Sequence, residues 1–119
     1  MSVKDLYNSF GGNYQQAIQT MMMDAFITKM LTKFLDKNAY QDILDSSQKN
    51  DLHGVFEAAH SLKGVCGNLA LTPIYEKASV VCEATRNLKE GEVVDVSKQI
   101  EDLKETYQRV SSAIRGFLG

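Results

Sequence analysis

Apolar residues recur at intervals of three and four along most of the chain, the spacing that places side chains on one face of an α-helix. Glycine, proline and short polar runs interrupt this spacing and divide the chain into separate segments. No segment keeps the alternation of apolar and polar residues that is typical of a β-strand. The pattern therefore predicts an all-α fold, an up-and-down four-helix bundle with short extra helices at the N-terminus.

Two short helices are predicted before the bundle, within residues 1–23. The first covers residues 3–10 and ends at two glycines, because glycine readily adopts the left-handed backbone that closes a helix. The second begins after Asn13, a favourable N-cap residue, and runs to about Met23. We expect its three consecutive methionines to fill the core, and a flexible binding groove is the alternative that a methionine-rich surface also suits.

Four longer helices form the predicted bundle over residues 24–118. The first is interrupted by a polar run at residues 36–38, where we expect the helix to weaken or bend. A polar loop follows it at residues 46–50. The predicted limits of the other three helices are residues 51–71, 73–90 and 94–117.

Local signals mark these limits. Asn50 or Asp51 caps the second bundle helix. Thr72 caps the third, Pro73 occupies its first position and Gly91 closes it. The predicted inward stripes are Phe26, Met30, Leu31, Phe34 and Leu35; Leu52, Val55, Phe56, Ala59, Leu62, Val65, Cys66 and Leu69; Ile74, Ala78, Val81, Thr85 and Leu88; and Val96, Ile100, Leu103, Tyr107, Val110 and Ile114.

Length, composition and charge narrow the class of protein. The 119 residues, 44% hydrophobic and 24% charged, suit a single helical domain over residues 1–119. A net charge of −2 argues against non-specific binding of nucleic acid. No apolar run reaches the length of about 20 residues that crosses a bilayer, and the N-terminal residues lack the apolar centre of a signal peptide. We therefore expect a cytoplasmic monomer that binds neither nucleic acid nor membrane.

The two cysteines, Cys66 and Cys82, lie in separate predicted helices and form no Cys-x-x-Cys or metal-finger spacing. In a reducing compartment we expect two small core thiols, since free cysteine is usually buried. A disulfide between them is the alternative if the two helices form a hairpin.

The most informative stretch is A-A-H-S-L-K-G-V at residues 58–65, inside the second bundle helix. His60, Lys63 and Gly64 lie three and four residues apart and therefore share one surface patch. With about 100° of rotation per residue, His60 projects about 120° from the centre of the apolar stripe and Lys63 about 60°. A histidine that faces water from a rigid helix anchored in the core suits a nucleophile.

Two glycines accompany this histidine on the solvent side of the helix. Glycine inside a helix lowers stability by about 0.5–1 kcal/mol relative to alanine. The presence of Gly64 and Gly67 therefore requires an explanation in packing or function. We expect them to clear space beside the imidazole for a large partner. An ordinary solvated histidine is the alternative.

Residues 59–64 read Ala-His-Ser-Leu-Lys-Gly, which resembles the Ala-His-x-Leu-Lys-Gly motif of the histidine phosphotransfer (HPt) domain family of bacterial multistep phosphorelays. The following Asn68-Leu69 and the next helix also match, so the resemblance covers at least residues 24–90. It implies a four-helix bundle with the histidine on a central hairpin, in agreement with the apolar pattern.

The resemblance also implies roles for individual residues. His60 is the phosphorylated residue, Lys63 offsets the charge of the phosphoryl group, and Gly64 lets the active site of the partner approach. Histidine suits this role because imidazole has an ordinary pKa of about 6.5 and offers a nucleophilic nitrogen at physiological pH.

On the next helix the chain departs from the family pattern. Many members have a glutamine that hydrogen-bonds to the imidazole, and the equivalent residue here is Cys82, whose thiol is a poor hydrogen-bond partner. A water molecule or Ser79 is left to orient the ring. Arg86, one turn beyond Cys82, is placed to add positive charge on the same flank, and a solvated surface arginine is the alternative.

The function implied by the resemblance is the relay of a phosphoryl group between aspartates of response-regulator receiver domains. The receiver supplies the acidic pocket, the Mg²⁺ and the acylphosphate, so we expect a carrier that is not an enzyme and has no intrinsic cofactor. The sequence contains no nucleotide-binding glycine loop, which argues against an autonomous kinase. The expected partners are receiver domains and, as a further candidate, a hybrid histidine kinase.

Three other functions stay open. The first is a helical-bundle adaptor that binds a receiver or kinase domain without being phosphorylated. The second is a metal site of His53, His60 and Cys66, although zinc prefers four tight ligands or three with a water. The third is a purely structural bundle.

Overall fold

The structure, a computed structural model, describes residues 1–37 and 39–119. Over these residues the regular secondary structure is all α-helix without a strand, which confirms the predicted all-α class. The helices are α1 (Val3–Phe10), α2 (Tyr14–Met21), α3 (Asp24–Asp36), α4 (Ala39–Gln48), α5 (Leu52–Asn68), α6 (Thr72–Thr85) and α7 (Ser97–Leu118).

The bundle is built around α5, which packs between α4 and α6. Helix α7 closes it by packing against α6, α4 and α3, and side chains of all the helices named above contribute to one core. The first predicted bundle helix is two helices, because α3 ends at Asp36 and α4 begins at Ala39. The predicted weak point between them includes Asn38, which lies outside the described residues. In the part of the chain that is described, no helix combines the length and the apolar content needed to cross a membrane.

The inward face of α3 differs from the predicted one. Ile27, Leu31 and Phe34 are buried, whereas 42% of the Phe26 surface is exposed, so the prediction for Phe26 is wrong. Steps of four and three place Ile27 on one stripe with Leu31 and Phe34, and Phe26 lies about 100° away from that stripe. Val65 of α5 is also 42% exposed, because it lies about 110° from the centre of its stripe.

The core prediction for the methionines is correct for Met21 and wrong for Met22 and Met23. Met21 is buried, whereas Met22 and Met23 expose 79% and 59% of their surface. The reason is that α2 ends at Met21 and Met22 adopts a φ of 75°. The helical spacing therefore does not continue through the turn into α3.

Two helix ends also differ from the predicted ones. Helix α4 continues to Gln48 and so includes residues 46–48 of the segment predicted as a polar loop. Helix α6 ends at Thr85 instead of near Gly91, and the backbone becomes left-handed at Asn87. Residues 86–96 therefore connect α6 to α7.

Helix α1 packs against α7, α2 and α3, and it is hydrogen-bonded to the turn that follows α5. The buried hydroxyl of Tyr7 donates a hydrogen bond of 2.7 Å to the carbonyl oxygen of Leu69, just after α5. Nη1 of Arg109 in α7 donates to the carbonyl oxygen of Phe10 at 3.2 Å. The first bond ties the N-terminal helix to the turn between α5 and α6, and the second ties it to α7.

Candidate functional site

Helices α5 and α6 form a hairpin that carries the candidate site. Their connection, residues 69–71, is so short that the two helices run antiparallel and side by side. Asp51 caps α5, as predicted, and Leu71 takes the N-cap position of α6 that was predicted for Thr72. The fully buried side chains that anchor the hairpin are Val55, Ala59, Leu62, Cys66, Ile74, Ala78, Val81 and Cys82.

His60 lies on the outer side of this hairpin with its side chain exposed. Its Nδ1 atom lies 4.0 Å from Sγ of Cys82, a long contact between groups of which the thiol hydrogen-bonds only weakly. The ring also stacks on Phe56, with the two ring centroids 5.8 Å apart and the planes 16° from parallel. Because Nδ1 is turned toward Cys82, the other ring nitrogen, Nε2, points away from that thiol.

Phe56 is a neighbour of His60 that the sequence pattern did not identify. It was predicted to lie in the core, but it is half-buried and covers one face of the imidazole. The available signal was its position four residues before His60, since residues four apart are neighbours on a helix surface.

Arg86 lies on the predicted flank and contacts both neighbours of the imidazole. Its Nη2 lies 3.7 Å from Sγ of Cys82, and its guanidinium carbon lies 5.3 Å from the centroid of the Phe56 ring. Its Nε and Nη2 both lie 3.0 Å from Oε1 of Glu83. The half-buried guanidinium is thereby held beside the histidine.

Lys63 occupies the other side of His60 along the hairpin. Its ammonium nitrogen lies 5.7 Å from the centroid of the Tyr75 ring, an aromatic residue of α6 that the sequence pattern did not identify. Gly67, predicted on the solvent side of α5, is half-buried against this ring. A methyl group at Gly67 would lie 3.3 Å from Cε2 of Tyr75, so the small residue lets the ring pack closely.

Gly64 leaves open space one turn after His60. The residue is exposed, and a methyl group at its Cα would meet no other atom within 4 Å. The packing of this chain therefore does not require a glycine at this position.

Ser79 does not take the place of the glutamine considered above. Its hydroxyl donates a hydrogen bond of 2.8 Å to the carbonyl oxygen of Tyr75 within α6. Within residues 1–37 and 39–119, the Cys82 thiol is the only hydrogen-bond partner of the His60 ring.

The three residues considered for a metal site are divided between surface and core. Nε2 of His53 lies 2.7 Å from Oε1 of Glu57 on the exposed side of α5, whereas Cys66 is fully buried. Burial raises the pKa of the Cys66 thiol to about 12, which disfavours the thiolate that binds metals. Among the described residues no three His, Cys, Asp or Glu side chains are grouped so as to hold a metal ion. Cys66 and Cys82 are free, buried thiols.

Comparison with known proteins gives one result for this chain. A family model described as "Hpt domain" matches residues 16–113, well over half of the sequence. The match includes all of α3 to α6 and every residue of the site described above. No match was found among curated proteins or among solved structures.

Proposed function

Because this chain belongs to the Hpt domain family, whose members act in histidine phosphotransfer, we propose that it carries a phosphoryl group on His60 between aspartates of receiver domains. The observation that carries the proposal is the exposed imidazole within the A-H-x-L-K-G run at residues 59–64, on a helix anchored by its buried face. Such a helix keeps a nucleophile within the narrow geometric limits that a reaction requires.

The transfer is an attack of Nε2 of His60 on the phosphorus of an aspartyl phosphate. The N–P bond forms while the P–O bond to the aspartate breaks, and the electron pair of that bond leaves with the restored carboxylate. The attack requires the tautomer with its proton on Nδ1, the nitrogen that faces the sulfur of Cys82, because Nε2 then has a free lone pair. The return step is the reverse of this sequence at a second aspartate.

Two cations flank the imidazole and support the proposal. Phosphoryl transfer depends on positioning and on neutralising the charge of the phosphoryl oxygens. Lys63 and Arg86 each rest on an aromatic ring, at 5.7 and 5.3 Å, and both are side chains that form strong hydrogen bonds to phosphate oxygens.

The partner contributes the remaining parts of the reaction. The receiver domain supplies the acidic pocket and the Mg²⁺, so the chain acts as a carrier and not as an enzyme. A hybrid histidine kinase is the second class of partner. We also propose that the chain works as a monomer in the cytoplasm, a reducing compartment that suits its free thiols.

The test is transfer from a receiver domain that carries radiolabelled phosphate on its aspartate. The label should move to the wild-type protein and be stable in alkali and labile in acid, as expected for a phosphorus–nitrogen bond. His60→Gln should abolish the labelling. His53→Gln is the matched control, because His53 is the second histidine of the chain and is also exposed on α5, and it should leave the labelling intact.

Labelling of the His60→Gln variant would contradict the proposal. So would a wild-type protein that takes no label from any receiver domain of its source. A wild-type protein that binds a receiver and takes no label would have the adaptor function instead.

A further inference from the structure

We propose that Phe56 is a positioning residue for His60 and that, together with Arg86 and Cys82, it fixes the orientation of the imidazole ring. This inference rests on the proposed function, since the orientation of the ring matters for transfer only if His60 accepts the phosphoryl group. Phe56 lies outside the A-H-x-L-K-G run. The packing of α5 against α6 brings Cys82 and Arg86 close to Phe56 and His60.

Polar contacts alone hold the His60 ring weakly. Within the described residues its one hydrogen-bond partner is the Cys82 thiol at 4.0 Å, and a thiol is a weak donor and a weak acceptor. The χ2 torsion of histidine has broad energy wells, so a ring held by this contact alone would turn over a wide range. Nε2 would then point in many directions, and an approaching acylphosphate would meet it in few of them.

Phe56 supplies the missing constraint by fixing the plane of the ring. The two rings lie 16° from parallel with centroids 5.8 Å apart, which is an offset stack. A stacked ring retains two orientations, related by a half-turn about χ2. The Cys82 thiol distinguishes between them, because it faces the nitrogen Nδ1 in one orientation and a carbon atom in the other.

Arg86 joins the two neighbours of His60 to each other. Its guanidinium lies over the Phe56 ring at 5.3 Å and reaches Sγ of Cys82 at 3.7 Å. Glu83 fixes the guanidinium through two contacts of 3.0 Å to one carboxylate oxygen. The four residues His60, Phe56, Arg86 and Cys82 thus form a closed circuit of contacts across α5 and α6, which we call the imidazole clamp.

The first experiment measures ring orientation in the unphosphorylated protein and requires no receiver. Long-range ¹H–¹⁵N NMR spectra report the tautomer of His60, and the shifts of its ring protons report the stacked aromatic ring. Phe56→Leu should remove the ring-current shift and move the tautomer ratio toward that of free histidine. Phe56→Tyr retains an aromatic ring and should keep both signals close to those of the wild type.

The second experiment measures transfer from a phosphorylated receiver at varied receiver concentrations. Phe56→Leu should lower kcat by about tenfold while KM stays within about twofold, because the loss affects positioning and not docking. Phe56→Tyr should restore kcat. Phe117→Leu, the same substitution at another half-buried phenylalanine, is the matched control and should change neither constant.

An unchanged NMR signature and kcat in Phe56→Leu, or a change in KM alone, would overturn the proposal. If Phe56→Leu does not fold, Arg86→Lys decides by the NMR measurement alone, since lysine keeps the charge but lacks the planar group that stacks. Its transfer rate is not used, because Arg86 is also proposed to contact the phosphoryl group. If the wild-type protein takes no label, the proposed function fails, and the NMR comparison still decides whether Phe56 orients His60.

Discussion

The side chain of Gly64 is a hydrogen atom, and a methyl group in its place would meet no other atom within 4 Å. Gly64→Ala should therefore raise the free energy of unfolding by about 0.5–1 kcal/mol, because glycine is unfavourable inside a helix. The added methyl group lies one turn from His60, where a receiver approaches in the proposed function, so transfer should become slower. Urea unfolding and the transfer assay measure the two effects separately.

Gly116 provides the control for this prediction. It is an exposed glycine of α7 where a methyl group would also meet no atom within 4 Å. Gly116→Ala should change stability in the same direction and leave transfer unchanged. A normal transfer rate in Gly64→Ala would mean that the partner does not use the open surface at Gly64.

The buried thiol of Cys66 predicts a loss of stability in alkali. Burial raises the pKa of Cys66 from 9.0 to about 12, so the folded protein holds this proton more tightly than the unfolded chain does. The resulting stability is present below about pH 9 and is lost as the pH rises toward about 12. Between about pH 8 and about pH 10, Cys66→Ala should lose about 1–2 kcal/mol less stability than the wild type. Urea unfolding at both pH values checks this, and equal losses would contradict it.

At the scale of a single helix, α5 shows that burial of one face can stabilise a helix whose residues include several with low helix propensity. It contains Gly54, Gly64 and Gly67, each unfavourable in a helix, and it remains ordered because its other face is buried.

The first turn of α5 depends on Asp51, whose Oδ1 accepts a hydrogen bond of 2.9 Å from the N–H of Gly54. Asp51→Ala should lower the free energy of unfolding by about 1 kcal/mol. Asp51→Asn should preserve most of this stabilisation, because asparagine is also a favourable N-cap residue. Urea unfolding of the two variants tests this cap, and an equal loss in both would refute it.

For the complete fold, the attachment of α1 to the α5–α6 turn can be tested through one hydroxyl group. Tyr7→Phe removes the buried hydrogen bond to the carbonyl of Leu69 and should lower the free energy of unfolding by about 1–3 kcal/mol. Tyr14→Phe is the control, because the hydroxyl of Tyr14 donates to Asp24 on the surface, where water replaces the lost partner. Equal effects of the two substitutions in urea unfolding would show that the buried bond adds nothing.

Many local features of this protein are determined by residues that lie close together in the sequence. The stop at Gly11, the cap at Asp51 and the exposure of His60 depend on residues within one or two turns, and these three predictions agree with the structure. Rotation of about 100° per residue is a property of every α-helix, so spacing alone places His60 away from the apolar stripe. Errors arose where that regularity breaks, as in the left-handed turn at Met22, and where a residue of a regular helix was assigned to the wrong face, as for Phe26.

The surroundings of the imidazole depend on contacts between helices. Whether Cys82 faces His60, and whether Arg86 reaches Phe56, is set by the rotation and axial offset of α6 against α5. These two quantities result from close packing of the entire core, to which every helix contributes, and no local spacing encodes them. The motif therefore identifies His60 as the candidate phosphorylation site, and the assembled core determines which side chains surround it.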